Sequence, residues 1–250
     1  MPNERICNRC GKRYAIDEQG FALRPEKCIY HWGKKYRSDD EYSCCRRRGL
    51  AVGCTYAVTH VWEYTDYENL RGYVKTLPKD TPAEEQGIYA LDCEMSYTTR
   101  GLKVTSVTVV NENGCVVYQT LVRPESPILD YNTRYSGITE EDMRNVTTTL
   151  ADVQKTMLTM FSEKTILVGH GLENDLRSLQ LLHDTVIDTT VIFPHRQGYP
   201  NKRALKNICA EFLRKTIQND ASGHDSKEDA VSCMELIFWK AKCIVDAKPW

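Results

Sequence analysis

The chain has 250 residues, 41% hydrophobic and 27% charged, with a net charge of −1. That is the composition of an ordinary soluble protein; no apolar run approaches a membrane span, and the opening Met-Pro-Asn-Glu-Arg is no secretion signal. The charge is uneven: residues 1–80 carry 15 Lys+Arg against 11 Asp+Glu and the remainder 18 against 23, a basic part joined to an acidic one. Such a pairing suits nucleic-acid capture beside a cation-dependent site.

Six of the 11 cysteines lie before residue 55, in the order Cys7-x₂-Cys10, Cys28-x₂-His31, Cys44-Cys45, Cys54-x₅-His60. Without a secretion signal such a cluster reads as metal ligands in a reducing, intracellular compartment rather than as disulfides. A C-x-x-C pair closes a tight turn around a tetrahedral ion. Cys7, Cys10, Cys28, His31, Cys44, Cys45, Cys54 and His60 therefore form a candidate ligand set for one or two structural Zn²⁺. Sequence order leaves the pairing open, and Cys44 and Cys45 fit worst, because adjacent residues seldom point into one small site. The plain alternative is a reduced thiol cluster. About sixty residues make a poor core unaided, so metal would supply much of the folding free energy. Basic and aromatic residues interleave with the ligands (Arg9, Lys12, Arg13, Tyr14, Tyr30, Trp32, Lys34, Lys35, Arg46, Arg47, Arg48), which favours RNA binding, with a protein partner as the alternative. The other five cysteines, Cys93, Cys115, Cys209, Cys233 and Cys243, read as small hydrophobes.

The expected organisation is a zinc-binding domain over 1–65, a polar linker over 66–86 with one short helix, and a second domain over 87–250. Trp250 follows a helical-looking segment directly, the pattern of a piece of something longer. In the second domain the order predicted is strand Gly87–Leu91, strand Leu102–Val110, the turn Asn111–Gly114, strand Cys115–Val122 and a loop over Arg123–Asn145. Thr149-Leu-Ala-Asp152 reads as a capping box opening a helix to Phe161. Strand Ile166–Val168, helix Leu172–Leu182, strand Val186–Ile187 and helices Ala204–Leu213 and Lys227–Cys243 complete it. Antiparallel strands followed by alternating helices and strands predict a mixed sheet flanked by helices, an α/β fold of ribonuclease-H-like architecture.

The apolar opening strand runs into Asp92-Cys93-Glu94. Residues i and i+2 of a strand share a face, so the two carboxylates stand side by side and repel unless a cation lies between them. Mg²⁺ or Mn²⁺ is the expected ion; the plain alternative is a solvated strand end. Asp175 follows in the first turn of a helix, where the dipole alone would account for an acid. Gly223-His224 and Asp229 open the last helix, where Ser226-x-x-Asp229 could serve simply as a capping box.

Read together, Leu-Asp92-Cys-Glu94-Met, Gly-His-x-Leu-Glu-x-Asp175-Leu and Gly-His224-x₃-Glu-Asp229-Ala resemble the DEDDh exonucleases, and within them the RNA exonuclease 1 homologue (GOR-like) group. The resemblance runs from Gly87 to Trp239, and that group also carries a cysteine-rich segment before the nuclease domain. The cysteine-rich spacing resembles the two-zinc CHORD type, with a shorter first pair and a longer last Cys-to-His gap. These resemblances imply a metal-dependent 3′→5′ exoribonuclease that trims single-stranded RNA 3′ ends to nucleoside 5′-monophosphates, with two Mg²⁺ or Mn²⁺. Asp92 would bridge the ions, with Glu94 and Asp229 on the ion of the attacking water and Asp175 acting through water on the other. His224 would be the general base, swung in on the Gly223 hinge. Met95 and Leu172 would stack terminal bases, or else are core; Arg134, Arg177, Arg196, Lys202 and Arg203 would hold phosphates, or else are solvated surface charge. The alternatives are a DNA exonuclease of the same chemistry, or an interaction adaptor with a vestigial nuclease fold. A nuclear location is implied by resemblance, with the cytoplasm as the alternative; no membrane partner is expected.

Overall fold

The structure, a computed structural model, describes residues 3–36, 40–63, 69–80, 82, 86–219 and 223–246. Two compact units are present: Met1–Asp66 with Ser96–Lys103 and Ser126–Asp130, and Tyr67–Met95 with Val104–Glu125 and Tyr131–Trp250. None of the described helices is long and apolar enough to cross a membrane.

Among its described residues the first unit has three short antiparallel pairs. Strand β1 (Glu4–Ile6) pairs with β2 (Arg13–Ala15), β3 (Cys28–Tyr30) with β6 (Thr55–Ala57), and β4 (Lys35–Tyr36) with β5 (Glu41–Tyr42). Its apolar core is small: Cys7, Tyr14, Ile16 and Cys28 are buried, with Cys10, Ala22, Tyr30, Ala57 and Trp62 packed on them. Candidate metal ligands thus occupy places that aliphatic side chains fill in an ordinary core. The unit also takes in the tip of a hairpin, 96–103. There Arg9 grips Asp130 with two charge-assisted bonds of 2.6 and 2.9 Å and lies 5.0 Å from the centre of the Tyr97 ring. Among its described residues the predicted linker contains a strand: β7 (Val74–Lys75) pairs in parallel with β13 (Leu181–Leu182). Residues 66–68, 81 and 83–85 of that linker, and the final 247–250, lie outside the described residues.

The second unit is built on a six-stranded mixed sheet in the order β10–β9–β8–β12–β14. These are β8 (Ile88–Thr98), β9 (Gly101–Asn111), β10 (Val116–Leu121), β12 (Ile166–Gly169) and β14 (Val186–Asp188). The sixth strand, β11 (Ile128–Asp130), pairs with the far end of β8. Strand β10 runs antiparallel to β9, whereas β12 runs parallel to both β8 and β14. The helices are α1 (Thr133–Ser136), α2 (Glu140–Met143), α3 (Leu150–Met160), α4 (Leu172–Ser178), α5 (Thr189–Ile192), α6 (Leu205–Ile208) and α7 (Ser226–Asp246). A wider turn, Cys209–Leu213, continues α6.

Alternation along the strands feeds two cores. Leu91, Val107, Val109 and Leu167 pack with Val153, Met157 and Phe161 of the α3 segment. Ala90, Val110 and Val168 pack with Ile208 and with Ala230, Cys233 and Met234 of α7. The Thr149–Asp152 capping box is present as expected. The stretch Arg123–Asn145 is more structured than a loop, carrying β11, α1 and α2. The helix expected to reach Leu182 stops at Ser178, because Leu181 and Leu182 are drawn into the pairing with β7.

Candidate functional site

Strand β8 does not end at its carboxylates, as the sequence suggested; it runs on to Thr98. It is β12 that ends. Ladder pairing of β8 with β12 covers Ile88, Tyr89 and Ala90 only. Beyond that point β12 turns through Gly169-His170-Gly171 into α4, the kind of strand end at which ligands gather in open α/β sheets. Asp92 and Glu94 share the face of Ala90, which packs toward α7, while Leu91 and Cys93 enter the opposite core.

Asp175 reaches the same place from α4. It is 5% exposed, and the Cys93 N–H donates to its Oδ1 at 3.0 Å, so it is tied directly to the strand between Asp92 and Glu94. A helix dipole alone would not bury it there. Asp229 arrives from α7, also buried. The capping-box reading of Ser226 and Asp229 fails. Asp225 caps the helix by accepting from the Lys227 N–H at 2.9 Å, and the Ser226 hydroxyl bonds Thr108 at 2.8 Å. Asp229 is left facing the carboxylates, where Gln218 Nε2 donates to both its oxygens at 3.1 and 2.9 Å.

Electrostatics mark these four groups out. Burial, then the charges of Asp175, Asp229 and Glu94, push Asp92 well up. Burial, then Asp229 and Asp175, raise Glu94 to about 9, and burial raises Asp175 to about 8 against the Cys93 backbone donor. Asp229 rises less, to about 6, because Gln218 opposes the effect of burial. The charges acting most strongly on Asp92 and Glu94 are all carboxylates. Oxygen donors whose charges are so unbalanced, three of them buried and Asp92 half-buried, fit hard divalent cations, the groups that would relieve them.

His224 sits at the rim, with Nδ1 3.8 Å from Asp229 Oδ2 and its side chain 37% exposed. Burial, then Lys206, holds its pKa below the usual value. Its backbone N–H donates to the Tyr135 carbonyl at 2.8 Å. Gly223 is more than a hinge. Its φ is +117°, and a Cβ there would meet Gly137 N at 2.4 Å, so glycine lets the α1 segment close against the histidine loop.

The remaining candidates divide. Met95 is half-buried against the first core, and Leu172, 1% exposed, is closed inside it, which removes Leu172 as a base-stacking wedge. Its methyls lie where a Cβ on Gly169 would be, 2.7 Å away, so it packs the strand-to-helix turn. Lys202 is ion-paired with Glu173 in the first turn of α4, and Arg203 with Glu211. Arg134, Arg177 and Arg196 are exposed.

Sequence reasoning passed over Asp188. At the end of β14 it accepts from the N–H groups of Gly171 and Leu172 at 3.0 Å each and of Thr190 at 2.8 Å. Burial opposes its ionisation, but the Thr190 hydroxyl, donating at 2.7 Å, and those N–H groups hold its pKa low. It is the anionic cap that seats α4, and with it Asp175. The only sequence signal was Asp-Thr after a short apolar strand.

The Cys/His set separates into two four-ligand clusters, Cys7, Cys10, Cys28, His60 and His31, Cys44, Cys45, Cys54, with the ligand atoms of each within 4.8 Å of one another. The spacing had suggested Cys28 and His31 as one pair. They belong to different clusters because β3 carries Cys28 inward and ends before His31. Cys44 and Cys45, the least expected pair, converge, with Sγ atoms 3.6 and 3.4 Å from His31 Nδ1. The Cys7–Cys28 and Cys44–Cys54 sulfur separations are 3.6 and 3.5 Å. Tetrahedral zinc needs about 3.7 Å, so the donors fit that ion. His31 Nε2 lies 3.1 Å from the Ala51 carbonyl, the outer partner expected when Nδ1 is the ligand, and His60 Nε2 lies 3.4 Å from Glu26 without a hydrogen bond to it. Burial pushes the Cys7 thiol up, yet backbone bonds at Cys10, Val61 and Arg9 bring it down to about 6, toward the thiolate a metal takes.

A ribonuclease-H-like mixed sheet with acids gathered at the end of β12 defines an α/β nuclease domain behind a Cys/His-rich unit. Comparison with known proteins agrees. Residues 89–237 match the exonuclease family, and residues 5–57 match the RNA exonuclease 3 middle domain. The chain belongs to the exonuclease family. It is 49% identical over 245 residues to the RNA exonuclease 1 homolog of Homo sapiens, covering 95% of this chain and 20% of that protein. It is 38% identical over 253 residues to RNA exonuclease 3 of Schizosaccharomyces pombe, covering 96% of this chain and 45% of that one. The chain therefore spans less than half the length of either relative. Among solved structures, the Neurospora crassa Pan2 catalytic unit (protease and nuclease domain) superposes with a TM-score of 0.59 at 24% identity, over 72% of this chain and 31% of that one. That likeness speaks for the fold.

Proposed function

We propose that this chain is a metal-dependent 3′→5′ exoribonuclease that hydrolyses phosphodiester bonds at the 3′ end of single-stranded RNA and releases nucleoside 5′-monophosphates. One observation carries the reading. Asp92, Glu94, Asp175 and Asp229, brought from three elements, act on one another: burial, and then the charges of the others, push Asp92 and Glu94 up with no cation prominent among them, and an imidazole stands 3.8 Å from Asp229. RNA is favoured over DNA by the relatives named RNA exonuclease 1 homolog and RNA exonuclease 3.

Asp92, Glu94, Asp175 and Asp229 would hold two Mg²⁺ or Mn²⁺. Bound there, divalent cations would neutralise phosphate charge and make water a better nucleophile at neutral pH. His224 accepts the proton of the attacking water; its lowered pKa keeps the imidazole neutral, as a base must be. Asp188 seats α4 and so aims Asp175. Met95, Arg134, Arg177, Arg196, Lys202 and Arg203 remain the candidate contacts to the RNA. The Cys/His unit would hold two Zn²⁺ and capture RNA or a protein partner. The proposal extends to a nuclear location, with the cytoplasm as the alternative, which imaging of the tagged full-length protein decides.

The test is Asp92→Asn. In Mg²⁺ or Mn²⁺ it should abolish release of mononucleotides from a short RNA while leaving the fold intact. Retained turnover would refute the reading. An unchanged cellular phenotype when both Asp92 and Glu94 are neutralised would move the assignment to an interaction adaptor.

A further inference from the structure

Asp229 has a partner that the proposed mechanism does not use. Gln218 Nε2 donates to both of its carboxylate oxygens, at 3.1 and 2.9 Å. The glutamine is built into this position from both sides. Ile217 before it is buried in the core beneath α7, and the Gln218 N–H donates to Glu228 Oε2 at 2.8 Å. Lys215 pairs with Glu235 at 3.0 Å, so the segment is laced along α7 at three points. Gln218 itself has φ +56°, the left-handed region that a residue with a Cβ rarely adopts. A segment held by core packing and two acids of α7 imposes that conformation, and its result is an amide delivered to a buried carboxylate.

The geometry of the contact matters. A donor that straddles both oxygens lies close to the line on which a carboxylate grips a cation with both. With that line taken by the amide, single oxygens remain for an ion, and the two bonds restrain rotation of the carboxylate. We propose that Gln218 is the positioning residue of Asp229, fixing the plane of the carboxylate so that it meets a divalent cation through a single oxygen. The inference rests on the reading of the four carboxylates as a divalent-cation site. It assigns Gln218 no contact with RNA or with the reacting atoms. Outer partners of metal ligands of this kind change affinity by about 10–100-fold when removed.

Binding of Mn²⁺ to the full chain, read by the free-ion signal in electron paramagnetic resonance without RNA, tests both layers. Asp229→Asn should weaken Mn²⁺ binding. If it has no effect, the cation-site reading falls and the role of Gln218 with it. If it does, Gln218→Met, which fills the same space without a donor, should raise the Mn²⁺ dissociation constant by about 10–100-fold. The number of bound ions should be kept in the folded variant. Gln218→Asn keeps the amide but draws it back by one methylene, and reads the same quantity should the Met variant fold poorly. A dissociation constant within twofold of the parent in the folded variant would overturn the proposal. Tighter binding would overturn it too, showing the amide to be a competitor of the cation.

Discussion

The four carboxylates make stability depend on pH in the direction opposite to an ordinary salt-bridged acid. Their folded-state pKa values lie above those of the unfolded chain, so across the interval the folded protein holds protons that the unfolded chain has released. Stability therefore falls as pH rises. For Asp229, raised from 3.8 to about 6, the loss is about 3 kcal/mol and is complete a little above pH 6. For Glu94, raised from 4.5 to about 9, it continues through neutrality. The Asp229 share alone corresponds to a fall of about 6–12 °C in melting temperature. Divalent cations at the site should return what the deprotonated acids take away, so stabilisation by Mg²⁺ should grow with pH. The assay is thermal melting between pH 5 and 9 with Mg²⁺ present or omitted. Chelators are left out, because one strong enough to matter would also strip the Cys/His clusters. Glu94→Gln should raise the melting temperature of the Mg²⁺-free protein at pH 8.5 and flatten its slope, though it removes a ligand. A melting temperature independent of pH, or a Mg²⁺ shift equal at pH 5 and pH 9, would refute the reasoning.

His224→Ala should lower the turnover rate by about two to four orders of magnitude with Mn²⁺ binding unchanged, and the acid limb of the parent pH–rate profile should fall below pH 6.5, in keeping with the lowered pKa. Gly223→Ala forces a Cβ against Gly137 and should destabilise by at least about 1 kcal/mol, seen as a lower melting temperature together with slower turnover. Arg9→Ala strips Asp130 of its bidentate partner in a setting where the two side chains are only 10% and 21% exposed. It should cost about 3 kcal/mol in the first unit, measured as faster zinc release to a colorimetric chelator.

The carboxylates and the histidine were legible in the sequence because each sits on a short string whose residue types have few other uses in that arrangement. The ligand inventory of the Cys/His unit was legible for the same reason. Its pairing was not, since Cys28 and His31 are separated by where β3 stops and Cys44 and Cys45 are brought together by a turn, and both depend on chain path rather than spacing. Strand β7 was missed because two residues pairing with two others leave no periodicity to read. Leu172 matched a motif, yet core packing at the Gly169 turn decided its place. Asp188 and Gln218 act through bonds to residues 16 or 17 and 11 positions away, which no local pattern encodes.

Digestion of a 5′-labelled single-stranded RNA and its DNA twin, with Mg²⁺ or Mn²⁺ supplied or omitted, tests the central claim most directly. The account predicts a cation-dependent ladder that shortens from the 3′ end on RNA, absent in Asp92→Asn. A ladder on DNA alone would keep the chemistry and overturn the substrate. No shortening of either strand, in protein shown to be folded and to hold its zinc, would contradict the account.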